Sequence, residues 1–294
     1  MLTVLLGISA LVIDVGNIML ERQKLHDALD AAVLAGAAEL IQAKPNDELY
    51  QLAMVADQSE LTAISYAKAN GVHNPNFEIN PSVREIKGTG QKKVPLFFAK
   101  VLGFEEFTVK GISKAKARPV SSGTGFSPLG VVAPDPTNTL TYGFQFDQEY
   151  LLKYDPKNVL NGNFALLDLP RIEQTNSGAD NYYDNLKYGF DGMLDVEDNP
   201  IVFTKTGVIP RLTSDGINDR ILISGNNYIY VPIIDALPSG KNTVTIIGFA
   251  AFYVTQVDQF TIRGQYRKQI YQGGWNNDES LDKDFGLYSV KLVK

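Results

Sequence analysis

The sequence predicts an α+β protein. A long N-terminal helix that begins in a membrane packs in a small helix-and-sheet domain, and a mostly β domain follows. Three observations predict this. Residues 1–43 contain no proline and pass from an apolar run into a run with helical spacing. Residues 77–117 hold two stretches of strand character around a short helical one. Beyond residue 125, β-rich runs alternate with Gly, Asn and Pro turns. The predicted boundaries are 1–20 for the membrane part of the helix, 21–119 for the first domain, 120–125 for a linker and 126–294 for the β domain.

Leu2–Leu20 is apolar apart from Thr3, Ser9, Asp14 and Asn17. Nineteen helical residues extend about 28 Å, close to a hydrocarbon core of roughly 30 Å. Three readings are open: a membrane anchor, a cleaved secretory signal ending near Ala35-Gly36-Ala37, and a buried core helix. The anchor is favoured, because the signal lacks a basic flank and a core helix explains Asp14 poorly. Asp14 opposes the anchor by about 2.5–3.5 kcal/mol on insertion scales. Arg22 and Lys24 follow the span and no basic residue precedes it, which on the positive-inside rule turns the C-terminal side to the cytoplasm. An anchor facing the other way therefore predicts further apolar and basic residues upstream of Met1.

Past Leu20, the residues Leu25, Leu29, Ala32, Gly36, Leu40 and Ala43 recur at three or four and form one helix face. Ala28, Ala32 and Gly36 make a small-xxx-small row that permits close backbone approach. The row packs either on the protein's own second helix or on a helix of another subunit. Asp14, Gly16, Ala28, Ala32 and Gly36 are the candidate helix–helix assembly residues. A homo-oligomer through this helix is the corresponding partner expectation.

Pro45 ends the first helix and Asn46 caps a second that runs to Asn70, with Gly71 beyond it. Phe77–Lys87 has strand character, Gly88-Thr89-Gly90 reads as a turn, and Val94–Leu102 reads as a short helix closed by Gly103. Glu106–Ala117 alternates as a strand. Residues 84–118 carry nine basic and three acidic side chains. A solvated sheet face explains them, and contact with anionic headgroups or cell-wall polymers is the sharper alternative. Ser121-Ser122-Gly123-Thr124-Gly125 is the clearest linker. The firmest strands after it are Tyr228–Ile234, Thr243–Val254, Phe260–Arg267 and Tyr288–Val293. Short helices are expected over Tyr182–Lys187 and Thr213–Ile223.

Two blocks carry a resemblance. Gly7–Gly16 ends in Asp14-Val15-Gly16, and Leu25–Ala37 reads Leu-His-Asp-Ala-Leu-Asp-Ala-Ala-Val-Leu-Ala-Gly-Ala. Together they resemble the N-terminal signature of the TadE/TadG-like Flp pilus-assembly family, with His26 in place of the usual Gln. Val94–Gly103 and Val109–Ala117 are similar to that family's later helix and strand. Gly162–Leu169, Thr206-Gly207 ahead of Asp219-Arg220, and Val244–Ala250 show diffuse similarity to the extracytoplasmic part of some TadG-like proteins. The resemblance implies a pilin-like first domain, a single-pass cell-membrane protein with most of its chain extracytoplasmic, and partners among pilus-assembly or envelope proteins. Pilins related to this family are cleaved after a small residue, with Glu at the fifth position beyond. Glu21 stands fifth after Gly16, but Arg22-Gln23-Lys24 follow where an apolar run is needed, which favours an uncleaved accessory protein.

The chain is poor in catalytic groups. It has no cysteine and two histidines, His26 and His73, both in the helical half. No phosphate-cradling Gly loop occurs, and Asp57-Gln58-Ser59 fails the Asp-x-Ser-x-Ser metal pattern of larger TadG-like proteins. No catalytic residue, cofactor or metal is expected. The acidic groups Asp191, Asp195, Glu197, Asp198 and Asp278, Glu279, Asp282, Asp284 fit solvated loops better than calcium loops. Net charge is −6, and it all falls after residue 119, which disfavours nucleic acid as a partner. Trp275 and Tyr271 sit in a polar, Gly-rich setting. They either plug an edge of the β domain or contact a partner or glycan. A structural, membrane-anchored component is thus the first expectation, and a surface-anchored adhesin or glycan-binding module the second.

Overall fold

The computed structural model describes residues 2–43, 47–135, 137–138, 142–153, 164–170, 178–198, 200–204, 210–237, 241–258, 261–276, 278–279 and 282–294. The side chains of residues 2–10, 153 and 210 fall outside that description. So do the helix break expected at Pro45 and Asn46, and Phe260 at the start of an expected strand. The chain divides into two units, Met1–Ala117 with Val290–Lys294, and Arg118–Ser289. It is α+β, with an N-terminal helix and a mostly sheet C-terminal part.

In the first unit, α1 spans Leu2–Glu39 and closes in a 3₁₀ turn, Leu40–Gln42. The second helix, α2, spans Leu49–Ala69. Glu48 donates its backbone N–H to the Gln51 side chain at 3.3 Å, part of a capping box. Gly71 takes a left-handed φ of 84° just past the helix, where a side chain would be strained. The helices meet through Ala28, Ala32, Ala63 and Ala67, all buried, and Ser59 donates its hydroxyl to the Gly36 carbonyl at 2.8 Å. A Cβ at Gly36 would lie 2.6 Å from Ile86 Cδ1 and 3.2 Å from the Ser59 carbonyl oxygen. The small-residue row therefore serves packing inside this unit.

The sheet beneath α1 is antiparallel: β1 (Asn76–Asn80), β2 (Glu85–Pro95) and β3 (Glu106–Pro119). The turn expected at Gly88-Thr89-Gly90 does not form, and β2 runs straight through it. Packing is the reason: Gly88, Gly90 and Gly111 lie under the helix. A Cβ on Gly88 would meet Val33 at 2.9 Å, and one on Gly111 would meet Leu29 at 2.9 Å. The expected helix over Val94–Leu102 is likewise replaced. Val94 is buried in β2 opposite Phe107, and only Ala99–Leu102 coils, as a 3₁₀ turn closed by Gly103 at φ 91°. Val290, near the chain end, packs with Val33, Ala37, Leu40, Ala63, Ile86 and Ala115.

In the second unit, β4 (Ser122–Gly123) pairs β8 (Leu194–Asp195). The main sheet takes β5 (Leu129–Val132), β6 (Glu149–Lys153), β7 (Phe164–Leu166), β9 (Ile201–Phe203), β10 (Tyr228–Ile234), β11 (Thr243–Val257) and β12 (Thr261–Arg267). Its order is β6-β12-β11-β10-β5-β7, with β9 beside β11. Among the described residues, only β10 and β5 run parallel within it. Both faces are covered. Ile229, Val231 and Ile233 point into one core with Tyr182 and Leu186 of α3 (Gly178–Tyr188) and Ile217 of α4 (Pro210–Ser224). Val244, Ile246, Phe249 and Phe126 form the other. The two helices are also joined by Asp219, which accepts from the Tyr183 hydroxyl and pairs with Lys187 at 3.1 Å. Those partners hold the Asp219 carboxyl below the usual carboxylate range. Two further strands, β13 (Gln269–Ile270) and β14 (Leu287–Leu292), pair in parallel, and β14 carries the chain back to Val290 of the first unit.

Candidate interaction surface around Asp14

The inner stripe of α1 runs Leu25, Glu21, Ile18, Asp14, stepping back at three or four residues. Asp14 is only 2% exposed. Its Oδ1 accepts the backbone N–H of Phe97 at 2.8 Å, and Oδ2 accepts those of Phe98 at 3.0 Å and Ala99 at 2.7 Å. No side chain of the loop caps the 3₁₀ turn at Ala99. A carboxylate from a distant helix supplies that cap instead, satisfying donors that the turn leaves open. Four more amides of the segment are paired with backbone carbonyls. Leu96 donates to the Glu105 carbonyl, Val101 to Phe98, Gly103 to Lys100 and Phe104 to Ala99, at 3.0–3.2 Å.

Around this polar centre the surface is apolar. On α1, Leu11, Val12, Ile13, Val15, Met19 and Leu20 are exposed. On the loop, Phe97 is 63% exposed, Val101 87% and Phe104 64%, with Phe98 and Leu102 beside them. A charged rim bounds the patch. Glu21 pairs with Lys92 of β2 at 2.5 Å and with Lys24 at 2.8 Å, and Lys93 pairs with Glu106 of β3. Those two lysines hold the Glu21 carboxyl below its ordinary range by hydrogen bonding.

Among the described residues no helix is long and apolar enough to cross a membrane. The transmembrane character expected of Leu2–Leu20 is therefore not carried by the described part of α1, and the side chains of residues 2–10 lie outside that part. Of the five candidate assembly residues, Asp14 is engaged by the loop, and Ala28, Ala32 and Gly36 are buried within the unit. Gly16 alone faces outward, with nothing within 4 Å of a Cβ built there.

The basic excess of residues 84–118 is largely paired. Besides the rim, Lys87 meets Glu78 at 3.1 Å and Lys114 meets Glu85 at 3.0 Å. His73 is exposed and lines a hollow of about 560 Å³ with Asn74, Gln91 and Thr108. In the second unit, Tyr271 donates its hydroxyl to the Thr124 carbonyl, and its ring lies 4.5 Å from that of Tyr230 and 5.6 Å from that of Phe126. Trp275 is half-buried with the Arg118 guanidinium 5.5 Å from its ring. Arg118 in turn is gripped by Asp282 at 2.9 and 3.0 Å. Asp284 accepts from the Tyr288 hydroxyl at 2.7 Å. Among the described residues no group of three His, Cys, Asp or Glu side chains is placed to hold a metal ion.

Sequence reasoning singled out Asp14 but not its partner, and it missed the loop. The available signal was Phe97-Phe98, Val101-Leu102 and Phe104, five large apolar residues within eight positions. Their number exceeds what one short helix face buries.

Residues 1–39 match the model of a family described as Flp pilus-assembly TadE/G-like. The N-terminal segment is similar to that family. The match coincides with α1, Leu2–Glu39, and agrees with the family that the residue pattern resembles. Neither the curated proteins nor the solved structures include a match to this chain. The matched segment contains all five candidate assembly residues, Asp14 among them.

Proposed function

We propose that the chain is a membrane-anchored, extracytoplasmic structural or accessory component of Tad/Flp-type pilus assembly. It acts through protein–protein contacts and performs no catalysis of its own. The observation that carries this reading is the TadE/G-like match over residues 1–39, the helix on which the first unit is built. The exposed apolar side chains of residues 11–20 support anchoring, since burying each in lipid stabilises by up to about 1.5–3 kcal/mol. The open face at Gly16 and the surface of the second unit are where pilus-assembly partners and other copies of the chain would dock.

Affinity capture of the tagged full chain from detergent-solubilised native membranes tests the reading. Other Flp-type assembly proteins are expected to co-purify, and mass spectrometry is expected to find the chain uncut at Gly16. Recovery of the chain from the membrane fraction without any such protein overturns the pilus-assembly assignment.

A further inference from the structure

We propose that Leu96–Phe104 is a membrane-inserting loop that enters the bilayer beside α1 at the depth of Asp14. The inference rests on the reading that α1 is anchored in lipid, and it adds a second point of insertion from the sheet.

Depth follows from helix geometry. Asp14 precedes Leu20 by six residues, about 9 Å along the axis. If the apolar run to Leu20 lies in lipid, Asp14 lies well inside, and the three amides bonded to it lie there too. The first unit therefore meets the membrane with a loop as well as a helix. The charged rim marks the same level on all elements. Glu21 on α1, Lys92 and Lys93 on β2, and Glu106 on β3 are joined in pairs, and the apolar patch begins on one side of them.

The loop is built for lipid. Unpaired backbone groups forbid irregular chain in hydrocarbon. Seven amides of this loop are paired: those of Phe97, Phe98 and Ala99 bond to Asp14, that of Leu96 to the Glu105 carbonyl, and those of Val101, Gly103 and Phe104 to the carbonyls of Phe98, Lys100 and Ala99. Five exposed side chains, Phe97, Phe98, Val101, Leu102 and Phe104, would each leave water for hydrocarbon on insertion. Five such side chains oppose the cost of one carboxylate that already has hydrogen-bond partners. Lys100 is exposed, and its long stem can carry its charge back to the headgroups.

A bilayer fits the patch better than a protein groove. At 100° per residue the exposed positions Leu11, Val12, Ile13, Val15, Met19 and Leu20 span about 200° of the helix. A helix packed on a single partner buries a stripe of roughly 100°.

The chain has no cysteine, so single spin labels can be placed cleanly. Full-length Val101→Cys, Met19→Cys and Ile112→Cys variants would be labelled in phosphatidylcholine vesicles containing phosphatidylglycerol. Relaxation by oxygen, which partitions into lipid, is compared with relaxation by a water-soluble nickel chelate. At Val101 and Met19 the oxygen-to-nickel ratio is expected to rise several-fold over that at Ile112, on the outer face of the sheet. A lipid signature at Met19 with an aqueous one at Val101 overturns the loop insertion and leaves the anchor standing. Aqueous signatures at both overturn the anchor itself, and the inference with it. Shielding of Val101 from both reagents identifies a protein contact in place of lipid, and also overturns the inference.

Discussion

Asp14 changes meaning once its surroundings are known. A carboxylate in an apolar run reads as a group in need of a partner: a neighbouring subunit, a polar cavity or the membrane edge. In the structure, three amides of the same chain relieve it. Asp14→Leu leaves those donors buried without an acceptor, a loss on the order of 3 kcal/mol. Asp14→Asn keeps a carbonyl acceptor and should fall between that variant and the wild type. Denaturant unfolding of the full chain in detergent micelles checks the order. Hydrogen exchange at Phe97, Phe98 and Ala99 should accelerate most in the Leu variant. Wild-type exchange there would show that the loop is held by something other than Asp14. The partner was not legible, because contacts 83–85 residues apart leave no trace in one sequence. What was legible is that such a carboxylate needs a partner, since an unpaired charge in an apolar setting is costly.

At the scale of elements, local pattern succeeded where side-chain alternation or helical period was strong. Tyr228–Ile234 forms a strand over those same residues, with Ile229, Val231 and Ile233 fully buried. It failed where small residues have two meanings. Gly88-Thr89-Gly90 has the composition of a turn, yet the glycines exist to let α1 lie close on β2. Val94–Leu102 has a helical spacing, yet strand pairing with β3 claims its first two residues, Val94 and Pro95. The glycine reading makes a discriminating prediction at Gly111. Strand propensity alone says that Gly111→Val stabilises β3. Packing says the opposite, because the Cβ itself would already sit 2.9 Å from Leu29 and 3.1 Å from Leu25. Overpacking of this kind costs about 1–3 kcal/mol. A lowered unfolding midpoint for Gly111→Val supports the close helix–sheet approach, and a raised one refutes it.

At the scale of the whole molecule, the second unit is an insertion in the first. The chain leaves the first unit after Ala117 and rejoins it at Val290. The Ser- and Gly-rich stretch expected to be a linker holds β4 at Ser122–Gly123, with Val120 and Ser121 buried, and a short terminal strand gives no hint of the distant strand beside which it ends. Here Val293 donates to the Lys114 carbonyl at 2.9 Å, and Val290 packs among Val33, Ala37 and Ile86. Val290→Asp should destabilise the first unit by about 1–3 kcal/mol. The single tryptophan, Trp275, lies in the second unit and reports on that unit alone. Circular dichroism should therefore show an earlier transition while tryptophan fluorescence keeps its midpoint; a joint shift would mean that the units unfold together.

The insertion also sets an order of events at the ribosome. The residues that finish the first unit emerge only after residues 118–289, which number 289 − 118 + 1 = 172. At about 5–20 residues per second, that interval is roughly 10–35 s. Throughout it, α1, α2 and the three strands wait with an open edge at β3 and an incomplete core around Ile86. The larger unit has all its residues in hand first, so the part made earliest is the part completed last.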